Sequence, residues 1–216
     1  MAQNNAEQKP KQKSDRVKQA IVILKKIWDF IWKDNSIWSW IVNIILAFVL
    51  IRFLVYPGMG LIFGTTHPIV AVVSGSMEHP GTFDEWWTIH GVYYTDNFYI
   101  TQESFKSFDF KNGFNKGDIM ILFRAEPEKI EKGDVIVFMG SRSDPIIHRV
   151  VSKETNPKNN RTYIFHTKGD NNIGQISDDM NIKEEQLIGK AVLRVPFLGW
   201  VKIGFVETIN TIRGLI

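Results

Sequence analysis

The segment THPIVAVVSGSMEHP, residues 66–80, sets Ser74 and Ser76 at the end of an apolar β-type run, with Gly75 between them. A serine hydroxyl becomes a nucleophile only beside a base, and its attack needs donors aimed at the oxyanion that develops. A strand ending in a glycine-containing turn can expose a hydroxyl and a backbone N–H at one point. Ser-Gly-Ser is also an ordinary turn, so alone it decides nothing. Further along, IIHRVV carries His148 between apolar residues, KGDNN carries Asp170, and Asp178 and Asp179 come after it. Serine, histidine and an acid in that order can form a nucleophile, a base and an orienting group on any fold. His166, four residues before Asp170, is the reserve candidate for the base.

Other chemistries fit less well. His67, His79 and His90, taken with Asp84 and Glu85, match no metal-ligand spacing, so no metal is expected. The 216 residues contain no cysteine, which excludes disulfides, thiolate–zinc sites, iron–sulfur clusters and thiol catalysis. The net charge of +3 is small and the basic residues form no single recognition element, so no nucleic acid is expected as a partner. No cofactor is expected either.

The elements that must position these residues fall into four segments. Residues 1–35 begin with a polar stretch, 1–16, expected to be disordered. A basic amphipathic helix is expected over 17–34, with Val17, Ile21, Leu24, Ile27, Trp28 and Trp32 near one face and Lys18, Lys25, Lys26, Asp29 and Lys33 mostly on the other. Such a helix suits the surface of an anionic lipid bilayer. Residues 36–63 form a transmembrane anchor: Ile37–Tyr56 is about the 20 residues that cross a bilayer core, with Trp38, Trp40 and Tyr56 at its ends. Arg52 is close enough to Tyr56 to snorkel to the far interface. The span is too long, and too far from the N-terminus, for a cleaved leader. The lysines before the span stay on the cytoplasmic side and place the chain beyond Tyr56 outside the cell membrane, as a single-pass protein.

Residues 64–195 change to short β-type runs at Ile69–Ser74, Asp118–Arg124, Asp134–Met139, Ile146–Ser152, Thr162–Thr167 and Leu187–Val195, bounded by turn clusters such as KGD, GSRSDP, TNPKNN and GDNN. The fold class is therefore a mainly β domain. An aromatic-rich insertion over about 81–117 shows no helical period, and a sequon, Asn160-Arg161-Thr162, lies in a polar loop. Residues 196–216 read as a C-terminal amphipathic, membrane-associated helix.

The blocks PIVAVVSGSME, NKGDIMIL, KGDVIVF, IIHRVV, TKGDNN and LIGKAVLRVPFLGW resemble the successive boxes of signal peptidase I. The likeness covers roughly residues 36–200 and is to the archaeal and endoplasmic-reticulum branch, which uses Ser–His where typical bacterial enzymes use Ser–Lys. It implies antiparallel β-sheets and removal of signal peptides from exported preproteins, with small residues at the first and third positions before the cut. Ser76 matches the nucleophile, His148 the base, Ser74 an oxyanion-hole hydroxyl, and Met77 a residue lining the cleft. Asp170 matches an acidic residue needed in this branch. A second aspartate is matched by Asp179, with Asp178 as the alternative. The partners so implied are preproteins, the lipid bilayer and, as a further candidate, the protein translocation channel. Two other functions remain open: a non-catalytic membrane-anchored binding or assembly domain derived from the family, and a peptidase for a narrow set of precursors.

Overall fold

A computed structural model describes residues 9–141, 144–157, 161–200, 203–204 and 211, with side chains from Arg16 onward. The chain divides after Pro57 into two compact units.

In the first unit, helix α1 (Lys9–Lys33) begins at Lys9, not near Val17, so helix replaces disorder over the last part of the polar stretch. Its apolar residues Val17, Ile21, Leu24, Trp28 and Trp32 are all solvent-exposed. Helix α2 (Ile37–Leu50) comes next, started by Ser36, whose side chain accepts the Ser39 N–H. The corner between α1 and α2 is hydrogen-bonded. Ser39 Oγ donates to Phe30 O at 2.7 Å and Asn43 Nδ2 donates to Ile31 O at 3.0 Å. These polar side chains thereby cap carbonyls that the end of α1 leaves free. A π-helical turn (Ile51–Val55) and α3 (Tyr56–Phe63) continue α2, giving 27 residues, Ile37–Phe63, long and apolar enough to cross a membrane.

The second unit is built on one seven-stranded antiparallel sheet, in the order β1-β2-β7-β3-β4-β5-β6. The strands are β1 (Ile69–Ala71), β2 (Ile119–Phe123), β3 (Val135–Met139), β4 (Pro145–Thr155), β5 (Tyr163–Lys168), β6 (Ile182–Lys183) and β7 (Leu187–Val195). The expected mainly β domain is thus present. β1 stops at Ala71, three residues short of the expected strand, and Ser74 and Ser76 lie in the turn beyond it. The interior strand β4 pairs with β3 and β5, with His148 opposite Ile136, Arg149 opposite Lys168 and Val150 opposite Thr167. Alternation along β4 therefore sends His148 and Arg149 to opposite faces. On the His148 face, Ile136, Phe138, Val150, Phe165 and Ile182 form one core cluster. Val72, Met77, Phe114, Met120, Leu122, Val135 and Val137 form another.

The insertion is more helical than its sequence suggests. Helix α4 (Phe83–Phe98) runs for 16 residues, and a short helix, α5 (Gln102–Lys106), comes after it. A capping box starts α4: Thr82 accepts the Glu85 N–H while the Glu85 carboxylate accepts the Thr82 N–H. The helical period is blurred because Ile89 and Val92 are exposed while Trp86, His90, Gly91 and Tyr94 are buried. Trp86, Tyr94, Ile100, Phe105 and Val151 make a third cluster, which packs this insertion on β4. Most of the expected C-terminal helix, and Asn160 of the sequon, lie outside the described residues.

Candidate active site

Ser76 Oγ lies 3.1 Å from His148 Nε2, and His148 Nδ1 lies 2.6 Å from Asp179 Oδ1. Three elements supply this chain of contacts: the turn after β1, the middle of β4, and a 3₁₀ turn at Ser177–Asp179. The His148 and Asp179 side chains are nearly or fully buried, whereas Ser76 is partly exposed. Asp179 is held on both oxygens. Thr167 Oγ1 donates to Oδ1 at 2.5 Å and the Ile176 N–H donates to Oδ2 at 2.9 Å. A carboxylate 2.6 Å from Nδ1 requires a proton on that nitrogen. The Nε2 lone pair of the neutral ring then faces the serine hydroxyl. Ser74 Oγ stands 3.2 Å from Ser76 Oγ.

Gly169 is required by this geometry. A Cβ there would come 2.8 Å from His148 Nε2 and 2.6 Å from Asn172 Nδ2. Glycine lets the loop after β5 close over the imidazole.

Asp170 sits elsewhere. Its carboxylate receives Arg149 Nε at 3.0 Å, Arg149 Nη2 at 2.7 Å, the Tyr94 hydroxyl at 2.8 Å and His79 Nε2 at 2.9 Å. Arg149 also donates to the carbonyls of Asp109, Phe110 and Gly133, and its guanidinium lies over the Phe105 ring. His79 stacks on Trp86 with centroids 3.7 Å apart. Burial alone would raise the Asp170 carboxyl, but Arg149 and the His79 hydrogen bond outweigh it and hold the group well below the usual carboxylate range. Burial pushes the Tyr94 phenol up, and the Asp170 charge adds to that. Lys168, under the Tyr94 ring, donates to the carbonyls of Gly169, Asp170 and Asn172. Burial pushes its ammonium down to about 8, against the opposing pull of Asp170 and Asp179.

No family model matches the sequence. The signal peptidase complex catalytic subunit SEC11 of Zygosaccharomyces rouxii is 30% identical over 173 residues, covering 75% of this chain and 80% of that protein. The chain belongs to the signal peptidase I family. SEC11 of Komagataella phaffii is 28% identical over 176 residues, 76% of this chain and 81% of its own length. The canine SEC11C subunit is 27% identical over 156 residues, and the chain spans 63% of that protein.

Within this member of the family the structure brings together Ser74, Ser76, His148 and Asp179. Two further residues singled out by the resemblance, Asp170 and Met77, make no contact with His148 among the hydrogen bonds of the described residues. Asp170 does not reach His148; it is the buried counter-ion of Arg149. Met77 is fully buried in the core, and its sulfur accepts the Asp170 N–H at 3.3 Å. Asp178 faces away from the histidine and accepts from the N–H and hydroxyl of Ser141. On β5, His166 stands 3.9 Å from Glu154 of β4. Among the described residues no group of three or more His, Asp or Glu side chains could hold a metal ion.

Sequence reasoning missed Thr167, Arg149, Lys168 and Asn171 around the site. Arg149 carried a signal, since a cation amid the apolar residues of IIHRVV must be buried with a partner. The other three lie inside TKGDNN, a block read only for its aspartate.

Proposed function

We propose that this signal peptidase cleaves preproteins by Ser–His–Asp catalysis, with Ser76 as nucleophile, His148 as general base and Asp179 as the orienting acid. The unbroken contact chain from Ser76 Oγ through the imidazole to Asp179 carries this reading. His148 Nε2 takes the hydroxyl proton as Ser76 Oγ attacks the scissile carbonyl. Asp179 stabilises the imidazolium that results, and Ser74 Oγ with the Ser76 N–H stabilises the oxyanion. The tetrahedral species collapses, the C–N bond breaks, and His148 returns its proton to the departing amine. The signal peptide is left as an ester on Ser76. Water, deprotonated by His148, releases it and regenerates the hydroxyl.

The substrate class is an exported preprotein whose signal helix sits in the same bilayer. An enzyme anchored through Ile37–Phe63 meets it at high effective concentration. The lysines of α1 hold the N-terminal side in the cytoplasm and the catalytic unit outside the cell membrane. Lipid contacts of α1 and delivery from the translocation channel belong to the same reading. The test uses the full chain in proteoliposomes with a preprotein carrying alanine at the first and third positions before its cut. Cleavage at that bond, and its loss when the first position is made tryptophan, is the expected result. Cleavage indifferent to that residue, or none, would refute the reading. Protease added outside intact cells should cut near Thr155–Arg161; protection there would reverse the orientation.

A further inference from the structure

Asn171 grips the nucleophile's turn with two separate donors. Its backbone N–H donates to Ser76 O at 2.8 Å, and its side-chain Nδ2 donates to Gly75 O at 3.0 Å. In a trans peptide the C=O and N–H of one unit point in opposite directions, and no cis peptide bond occurs among the described residues. Gly75 C=O and Ser76 N–H belong to one such unit. Whatever fixes the direction of Gly75 O therefore fixes the direction of the Ser76 N–H.

The mount of Asn171 is rigid. Lys168 Nζ ties down the carbonyls on either side of it, from Gly169 at 3.0 Å and Asn172 at 2.8 Å. The Asn172 N–H closes a turn onto Gly169 O at 2.9 Å. The Asp170 N–H is fixed on the Met77 sulfur. Among the described residues Gly75 O has one other donor, the Glu78 N–H at 3.2 Å, which arises within the same short turn. The Asn171 amide is thus what ties that peptide unit to the sheet.

We propose that Asn171 is a positioning residue for the oxyanion hole, orienting the Ser76 N–H by holding the Gly75 carbonyl from behind. The inference rests on the peptidase reading above. Asparagine suits the task because it is short and its amide donates. Aspartate has the same shape but offers only acceptors to a carbonyl. Alanine removes the contact and leaves the backbone N–H bond to Ser76 O in place.

The test compares the full-length wild type with Asn171→Ala and Asn171→Asp in proteoliposomes. Loss of a whole oxyanion donor lowers kcat about 10²–10³-fold, so a donor left in place but free to swing should lower it about 10- to 100-fold, with KM nearly unchanged. A second readout separates positioning from a general loosening of the cleft. A peptide aldehyde ending in alanine adds Ser76 Oγ to its carbonyl and develops the oxyanion, whereas the matching peptide amide stays a ground-state ligand. In both variants the aldehyde should weaken in step with kcat while the amide binds as to wild type. Unchanged kcat, or equal weakening of aldehyde and amide, would overturn the proposal. Because Asn171→Asp keeps the side-chain volume, it serves if the alanine variant folds poorly. A wild type that fails to cleave would remove the peptidase reading and this inference together. A cleaving wild type with unaffected variants would remove this inference alone.

Discussion

Asp179→Asn should nearly abolish turnover while leaving the fold intact. The native carboxylate accepts His148 Nδ1 and Thr167 Oγ1 on one oxygen and the Ile176 N–H on the other. An amide has one oxygen and one NH₂ group, so it can satisfy only one side. With its oxygen toward His148, the NH₂ group opposes the Ile176 N–H, and the imidazolium formed during attack lacks a counter-charge. With its NH₂ toward His148, Nδ1 must become the acceptor and Nε2 carries the proton, so the ring cannot take one from Ser76. The second arrangement is the wrong-tautomer defect that lowers kcat about 10⁴-fold in a Ser–His–Asp protease. A loss of about 10³–10⁴-fold, or ~4–5.5 kcal/mol of transition-state stabilisation, is expected. The assay is single-turnover cleavage of a preprotein by proteoliposomes, with Asp178→Asn as the control. Among the described residues the hydrogen bonds to the Asp178 carboxylate come from Ser141, so that variant should stay within a few-fold of wild type. Asp179→Asn activity within about tenfold of wild type, or an equal loss in Asp178→Asn, would refute the reasoning.

Asp170→Asn should fail differently. It leaves the Arg149 charge buried without its counter-ion, which costs roughly 3–5 kcal/mol, and denaturant unfolding should register that loss. The Asp170 carboxyl is held below its unfolded value, so its contribution is present above about pH 4 and fades as pH falls below that; acid unfolding of the wild type should show the slope and the variant should lack it. Lys168 gives a dependence of the same sign in a higher pH window. With its ammonium at about 8 when folded and ~10.4 when unfolded, the unfolded chain binds more protons between those values, so stability should rise with pH across that window until Tyr ionisation near ~10 opposes it. Lys168→Met should flatten the rise. Gly169→Ala should displace the imidazole and cut activity with little change in the unfolding midpoint; full activity would contradict the close approach of that loop to His148.

The strands were legible because they alternate and end in turn residues: the expected runs around His148 and at Leu187–Val195 match β4 and β7 to within a few residues. Helix α4 was not, since its buried face is aromatic and its exposed face carries Ile89 and Val92, leaving the TFDE capping box as the one local mark of a helix start. The site divides along the same line. Ser76 and His148 stand in recognisable blocks, and the alternation of Met180 and Ile182 after it favours Asp179 over Asp178. Spacing could not show that Asp170, one residue from the nucleophile's anchor Asn171, turns its carboxylate to the far side of β4. That depends on Arg149 alternating away from His148 on the same strand, on His79 arriving from the turn before the insertion, and on Tyr94 arriving from the insertion itself.

The claim that Ser76 Oγ is the attacking atom has one direct test. Ser76→Ala removes that oxygen and nothing else, so the protein should insert in membranes and unfold as wild type does, yet convert no preprotein to mature product at any enzyme concentration. Mass measurement of the product N-terminus decides the matter. Release of the correct mature chain by purified Ser76→Ala protein would contradict the account.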